Sequence, residues 1–241
     1  MNRDYIREKA NQTLIDCGIK YFPFNCLNLL QHYGYKIYTY AELKHKNEEL
    51  YNMCISYSED AFRIGSKFLI AYNDQKPDSR IRFSLMHELG HHILEHRNNS
   101  AGNEAEANYF ASNILAPRMA IYYAKCKTIY DIKRTFSLST AASKCAADDF
   151  YFWCLDICRN RMTDSDRKLY EHFYNKDYNG FVYSKRICEF CGKPVYNSDK
   201  PLCKNGCILT CEVNLKRPSY LFSTEDKRAI MRFENKYIHN Y

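Results

Sequence analysis

At 241 residues the chain can hold one good core plus a smaller module. No apolar run approaches the roughly 20 residues a membrane helix needs, and the start, Met1-Asn2-Arg3-Asp4-Tyr5-Ile6-Arg7-Glu8-Lys9, lacks an apolar signal-peptide core. The expectation is a cytoplasmic protein with no membrane partner, whose 12 cysteines are reduced thiols or metal ligands rather than a disulfide framework. The charge excess is modest, 35 Lys and Arg against 28 Asp and Glu, and from residue 156 onward the counts are 16 and 11. Most of the excess therefore sits in the tail, where an ordinary solvated surface explains it at least as well as nucleic-acid contact.

Lys67-Phe68-Leu69-Ile70-Ala71-Tyr72-Asn73 reads as a strand, with Phe68, Ile70 and Tyr72 alternating against Leu69 and Ala71. We expect it to be an exposed sheet edge that takes substrate as an added strand; a covered core strand is the competing reading.

Next comes His87-Glu88-Leu89-Gly90-His91, a His-Glu-x-x-His motif in a helical stretch. Four residues are a little over one turn, so the two imidazoles project from one face and can share a metal. Glu88 can sit beside an open coordination position, where the metal lowers the pKa of water and the carboxylate takes its proton. Gly90 costs about 1 kcal/mol against Ala in mid-helix, a cost that suggests close approach of a neighbouring element. A rival motif is nested here: His92-Ile93-Leu94-Glu95-His96 fits the inverted zinc pattern His-x-x-Glu-His. His92 points about 100° away from His91, so the two motifs cannot serve one zinc, and spacing alone does not choose between them. Leu94 and Arg97 stand where an extended motif would place Gly and a third His, so the third ligand must come from elsewhere.

Residues 103–117 read as a second helix, with Ala107, Phe110, Ala111, Ile114 and Leu115 on one stripe and Pro117 at its end. Glu104 extends the stripe by one turn. Glu106 lies further round and has another use, as the third position of a capping box begun by Asn103. Glu104 is thus the better ligand, and Asn108, one turn on, is placed to support a ligand.

Together these stretches resemble the ImmA/IrrE family of zinc metallopeptidases. The likeness runs through Arg82-Phe83-Ser84-Leu85-Met86 and the motif to His96, then Glu104-Ala105-Glu106-Ala107-Asn108-Tyr109-Phe110-Ala111 and Ile114-Leu115-Ala116-Pro117. Ile129, Ile132, Phe136-Ser137-Leu138-Ser139 and Ala142 look like the family's closing helical hairpin, and the likeness covers roughly residues 5–150. The resemblance implies His87, His91 and Glu104 as zinc ligands and Glu88 as catalytic base, and it selects the first register of the nested motifs. It also implies a zincin-like, mostly helical domain with a small sheet, in a family whose members often cleave or control helix-turn-helix repressors.

Residues 156–241 fall outside that likeness. Cys154 and Cys158, in an apolar stretch just before, read as core thiols. A polar helix, about Thr163 to Asn175, links the parts. Cys188-Glu189-Phe190-Cys191-Gly192 reads as a zinc knuckle, and Cys203 and Cys207 can supply the other thiolate pair, with Cys211 able to replace Cys207. Ser223 to Tyr237 reads as a last helix.

The expected fold is α+β: a mostly helical zincin-like metallopeptidase domain with a small sheet at 1–155, then an extension at 156–241 carrying a zinc-ribbon-like segment at about 183–213. The expected function is a zinc endopeptidase in which Glu88 assists attack of a zinc-bound water on a regulatory protein, a transcriptional repressor. The alternative is a DNA- or protein-binding regulator that keeps the fold without turnover. Two zinc ions are expected, one catalytic and one structural, and nucleic acid is not favoured as a partner.

Overall fold

A computed structural model describes residues 1–98, 100–160, 162–189 and 191–198. Ten α-helices and seven strands occur among them. In chain order the first part is α1 (Arg3–Asp16), α2 (Cys26–His32), β1 (Lys36–Thr39), α3 (Tyr40–Lys46), α4 (Glu48–Tyr57), β2 (Ala61–Ile64) and β3 (Leu69–Tyr72). The helical part follows as α5 (Asp78–Ile93), α6 (Ala101–Leu115), α7 (Arg118–Tyr123), α8 (Ile129–Phe136), α9 (Thr140–Arg159) and α10 (Asp164–Phe173). Two small hairpins close the described chain: β4 (Tyr174–Asn175) with β5 (Gly180–Phe181), and β6 (Lys185–Ile187) with β7 (Pro194–Tyr196).

Local sequence explains where the helices start. Asn2, Asn25, Thr39, Asn47, Ser100, Thr128, Ser139 and Thr163 each accept a hydrogen bond from a backbone N–H two or three residues on. Such side chains satisfy N–H groups that the first helical turn leaves open. The two exceptions, α5 and α7, begin directly after Pro77 and Pro117. Helix α6 thus starts on Ser100, not on Asn103, and the capping box expected of Asn103 and Glu106 does not form; the Glu106 side chain is used elsewhere.

The three-stranded sheet runs β1-β3-β2, with β1 parallel and β2 antiparallel to β3. This corrects the expectation for residues 67–73. Lys67 ends a short 3-10 turn, Phe68 is left-handed at φ 47°, and only Leu69–Tyr72 form the strand. That strand is central, with its backbone paired on both sides, so it cannot receive an added strand. Its side chains alternate between two buried clusters: Ile70 joins the main core, while Leu69 and Ala71 pack with Tyr40, Leu43 and Cys54. Two covered faces need apolar residues at every position, which reads as alternation when the residues merely differ in size.

One core unites most of the helices. Ile6 and Leu14 of α1, Leu85, Met86 and Leu89 of α5, and Phe110 and Ile114 of α6 meet Phe136, Phe150 and Trp153 there. Leu169 and Phe173 of α10 and Phe181 of β5 belong to the same cluster. The boundary drawn at 155/156 therefore falls inside α9, and α10 is a packed core element rather than a linker. Its apolar residues stand four apart on one face of an otherwise polar helix. Cys154 also lies in this core. Cys203, Cys207, Cys211 and the helix expected at 223–237 lie outside the described residues.

Candidate metal centre

Helices α5 and α6 meet at Gly90. A Cβ there would stand 3.1 Å from Phe110 Cδ1 and 3.2 Å from Ala107 Cα and O. The missing side chain lets the two backbones approach, as its placement in mid-helix suggested. The approach sets Glu104, in the first turn of α6, opposite His87 and His91.

The three ligand-type atoms converge. His87 Nε2 and His91 Nε2 are 3.0 Å apart, and Glu104 oxygens lie 3.1 Å and 3.3 Å from them. Donors at tetrahedral positions, about 2.0–2.1 Å from a zinc ion, would stand about 3.3 Å from one another. The groups behind the two rings favour one tautomer of each. His87 Nδ1 is 2.9 Å from Asn108 Oδ1, an acceptor, so the proton is on Nδ1 and Nε2 is bare. His91 Nδ1 is 3.1 Å from His96 Nδ1, and His96 Nε2 is 3.3 Å from Glu106 Oε2. The Glu106 carboxylate only accepts, so His96 is protonated on Nε2, its Nδ1 accepts from His91, and His91 Nε2 is bare as well. In these tautomers two imidazole lone pairs face the Glu104 carboxylate. A cation satisfies such a set, and these residues form the one His/Cys/Asp/Glu cluster of metal-binding geometry among the described residues.

Burial reinforces this. The His91 side chain is 7% exposed, and its pKa is lowered to about 4, chiefly by desolvation, with the Arg63 charge lowering it further. A neutral imidazole is the form that binds metal. Glu88 keeps some accessible surface at the cleft floor but is otherwise enclosed by protein. Desolvation pushes its carboxyl up to about 8; the Arg63 charge and a hydrogen bond from the Arg63 backbone N–H pull down, and the charge of Glu104 pushes up. Burial thus makes the Glu88 carboxylate a stronger proton acceptor than an exposed one.

The cleft over these residues has a volume of about 600 Å³, and Tyr57, Phe62, Arg63, Phe83, His87, Glu88, His91, Glu104 and Asn108 are among its lining. One wall is β2, whose far side pairs with no strand among the described residues. The Asn73 N–H donates to the Asp60 carbonyl at 2.8 Å, so by antiparallel alternation Phe62 and Ile64 bond to β3 while Ala61 and Arg63 turn their backbone groups to the open edge. The Glu88 hydrogen bond from Arg63 N–H fits that register.

Residues 45–145 match the family described as the IrrE N-terminal-like domain. No curated protein matches the chain. The IrrE-like domain contains β2, β3, α5, α6 and the whole His87, Glu88, His91, Glu104 set. It is a metallopeptidase-like domain with a candidate metal cluster.

Sequence reasoning named every residue of that cluster, and Asn108 behind it. It missed the parts that α5 reaches only after its end. His96, read as half of a rival ligand set, is the hydrogen-bond partner of His91 instead. The rival fails because the helix stops at Ile93 and Glu95 turns left-handed, so Glu95 and His96 leave the face of His92. His92 Nδ1 is occupied by Tyr35 OH at 2.9 Å, and Tyr109 OH donates to Asp149, so neither reaches the cleft as a carbonyl-polarising group. Arg63 carried no sequence signal at all. At the C-terminal end, Cys188 and Cys191 flank the β6–β7 turn, closed by Gly192 N–H to Cys188 O at 2.9 Å with Gly192 at φ 69°.

Proposed function

We propose that the protein is a zinc-dependent endopeptidase of narrow specificity that hydrolyses a peptide bond of a regulatory protein, by family resemblance a helix-turn-helix repressor, in the cytoplasm. The observation that carries this reading is the convergence of His87, His91 and Glu104 beside Glu88 at the floor of an open cleft. Zinc held there supplies Lewis acidity toward water and the scissile carbonyl. Glu88 takes the proton of the attacking water and passes it to the leaving amine. Asn108 and His96 keep the two imidazoles in the tautomer that exposes Nε2.

The substrate segment lies along β2, not β3, since β2 has the free edge beside the cleft. The Ala61 and Arg63 N–H groups are taken by Ser58 Oγ and Glu88, so backbone pairing to their outward carbonyls supplies affinity, and the Tyr57–Phe62 pair, stacked at 4.9 Å, offers an aromatic surface to a side chain. A structural zinc is proposed for Cys188 and Cys191 together with Cys203 and Cys207.

The test is Glu88→Gln in the full chain, with metal analysis alongside. Wild type and variant should each hold about two zinc equivalents, while the variant loses cleavage of a co-expressed repressor. Undiminished cleavage by the variant would remove Glu88 from the chemistry; absence of metal from the wild type would remove the metallopeptidase reading.

A further inference from the structure

The turn that ends α5 is built in an unusual way. Leu94 is the last half-helical residue, Glu95 follows at φ 56°, and the chain folds back. Glu95 N–H donates to His92 O at 3.1 Å and His96 N–H donates to His91 O at 3.0 Å. This pair of bonds is a Schellman motif, which ordinarily places Gly at the left-handed position. Here an ordinary L-residue holds it, and strain of that kind is tolerated where the surroundings fix the conformation. The consequence is visible one residue later. The fold-back returns the His96 ring over the helix end, 5.1 Å from the His91 ring at an interplanar angle of 74°. Its side chain is 6% exposed and both its ring nitrogens are engaged, one by His91 and one by Glu106.

We infer that His96 and Glu106 form a positioning relay, His91–His96–Glu106, that fixes the tautomer and ring orientation of His91 and so sets the metal affinity of the site. This rests on the metallopeptidase reading above. The relay reaches across both motif helices: His91 is on α5, His96 on the turn after it, and Glu106 on α6, two residues beyond Glu104. One helix thus supplies both a ligand and the anchor of another ligand's support. The two imidazoles of the site are held differently. His87 leans on a single amide, Asn108, whereas His91 leans on a buried ring that ends on a carboxylate. Neither His96 nor Glu106 belongs to the metal cluster, and Glu106 is not among the residues lining the cleft.

The relay makes a directional claim. Toward the metal site Glu106 acts through His96, its other oxygen lying 4.0 Å from the Met1 N-terminus, and what it must provide is an acceptor for the His96 Nε2–H. Partners that orient a ligating His are typically worth about 10–100-fold in metal affinity. The experiment is cobalt(II) titration of the metal-free, full-length chain, followed by visible absorption, which separates a nitrogen–oxygen site from a thiolate site. His96→Ala and Glu106→Ala should each weaken the nitrogen–oxygen site by about 10–100-fold. Their double variant should be no weaker than His96→Ala alone, as expected for residues in one chain of contacts. Glu106→Gln should recover most of the affinity, because its amide oxygen accepts the same N–H. His96→Gln, which keeps an acceptor and much of the volume, covers the case in which His96→Ala fails to fold, and it should bind better than Glu104→Ala. The inference is overturned if His96→Gln and Glu106→Ala bind within twofold of wild type, if the two alanine effects add, or if Glu106→Gln is as weak as Glu106→Ala. Wild type lacking a nitrogen–oxygen cobalt site would sink the metallopeptidase reading and the relay together. Wild type that binds, with Glu104→Ala abolishing the site and the relay variants unchanged, would sink the relay alone.

Discussion

His91 carries two consequences that can be measured without substrate. Its folded-state pKa of about 4 lies below the ordinary 6.5, so between those values the unfolded chain binds more protons than the folded one. Metal-free protein should therefore lose stability steadily as pH falls from about 6.5 toward 4, with His92 and His172, also lowered by burial, adding to the slope. Urea unfolding across that range should show a shallower decline for His91→Gln than for wild type; equal slopes would mean that the imidazole is not desolvated as its surroundings require. Glu95 offers the second residue-scale test. An L-residue in the left-handed region costs about 1–2 kcal/mol, and Gly adds back about 0.5–1 kcal/mol of backbone entropy. Glu95→Gly should thus raise stability by about 0.5–1 kcal/mol and leave metal affinity unchanged, because the exposed Glu95 side chain is not part of the metal cluster. A loss of stability would assign that carboxylate a contact of its own.

At the scale of elements, the α5–α6 pair decides whether there is a site. Adding a methyl at Gly90 gains about 1 kcal/mol of helix propensity but forces a backbone already at 3.2 Å to retreat, and overpacking of this kind costs about 1–3 kcal/mol. Gly90→Ala should come out destabilised by about 1 kcal/mol, and its metal affinity should fall further than that change alone implies, since Glu104 moves away from both imidazoles. Thermal melting with and without added zinc would separate the two effects; a variant more stable than wild type would mean that the helices repack freely. The same pair explains what the sequence made legible. His-Glu-x-x-His at helical spacing and a stripe ending at Pro117 are local patterns, so the cluster could be named from them. Gly90 stood out because propensity argues against it. The relay could not be named, because it depends on where α5 stops, and Ile93, Leu94 and Glu95 give no terminating Gly or Pro. The strand at 69–72 was seen but misplaced: alternation cannot distinguish one covered face from two, and the edge went to β2, whose residues Ala61-Phe62-Arg63-Ile64 carry no stronger pattern.

For the whole molecule the question is where the folding unit ends. The family match stops at 145, but the core does not. Asp166, buried at the start of α10, accepts from Trp153 Nε1 at 3.3 Å, from Thr163 Oγ1 at 3.0 Å and from Asn11 Nδ2 at 3.5 Å, tying α9 and α10 to α1. Behind it Phe173 stacks on Phe22 at 5.4 Å and on Phe181 at 5.1 Å, and Tyr123 stacks on Phe181 at 4.6 Å. Fully burying a large apolar side chain is worth about 1.5–3 kcal/mol. Removing Leu169, Phe173 and Phe181 together therefore forfeits an amount comparable with the whole stability of a typical domain, about 5–15 kcal/mol. It also leaves Asn11 and Trp153 without their carboxylate. A chain ending at residue 160 should accordingly fail to unfold cooperatively and should expose apolar surface to a dye that binds it. A chain ending at residue 182 keeps α10 and β5, and it should melt as one transition and retain the nitrogen–oxygen metal site. Cooperative folding of the shorter chain would place the boundary back near 155 and make α10 an accessory; failure of both chains would extend the folding unit into the knuckle that follows.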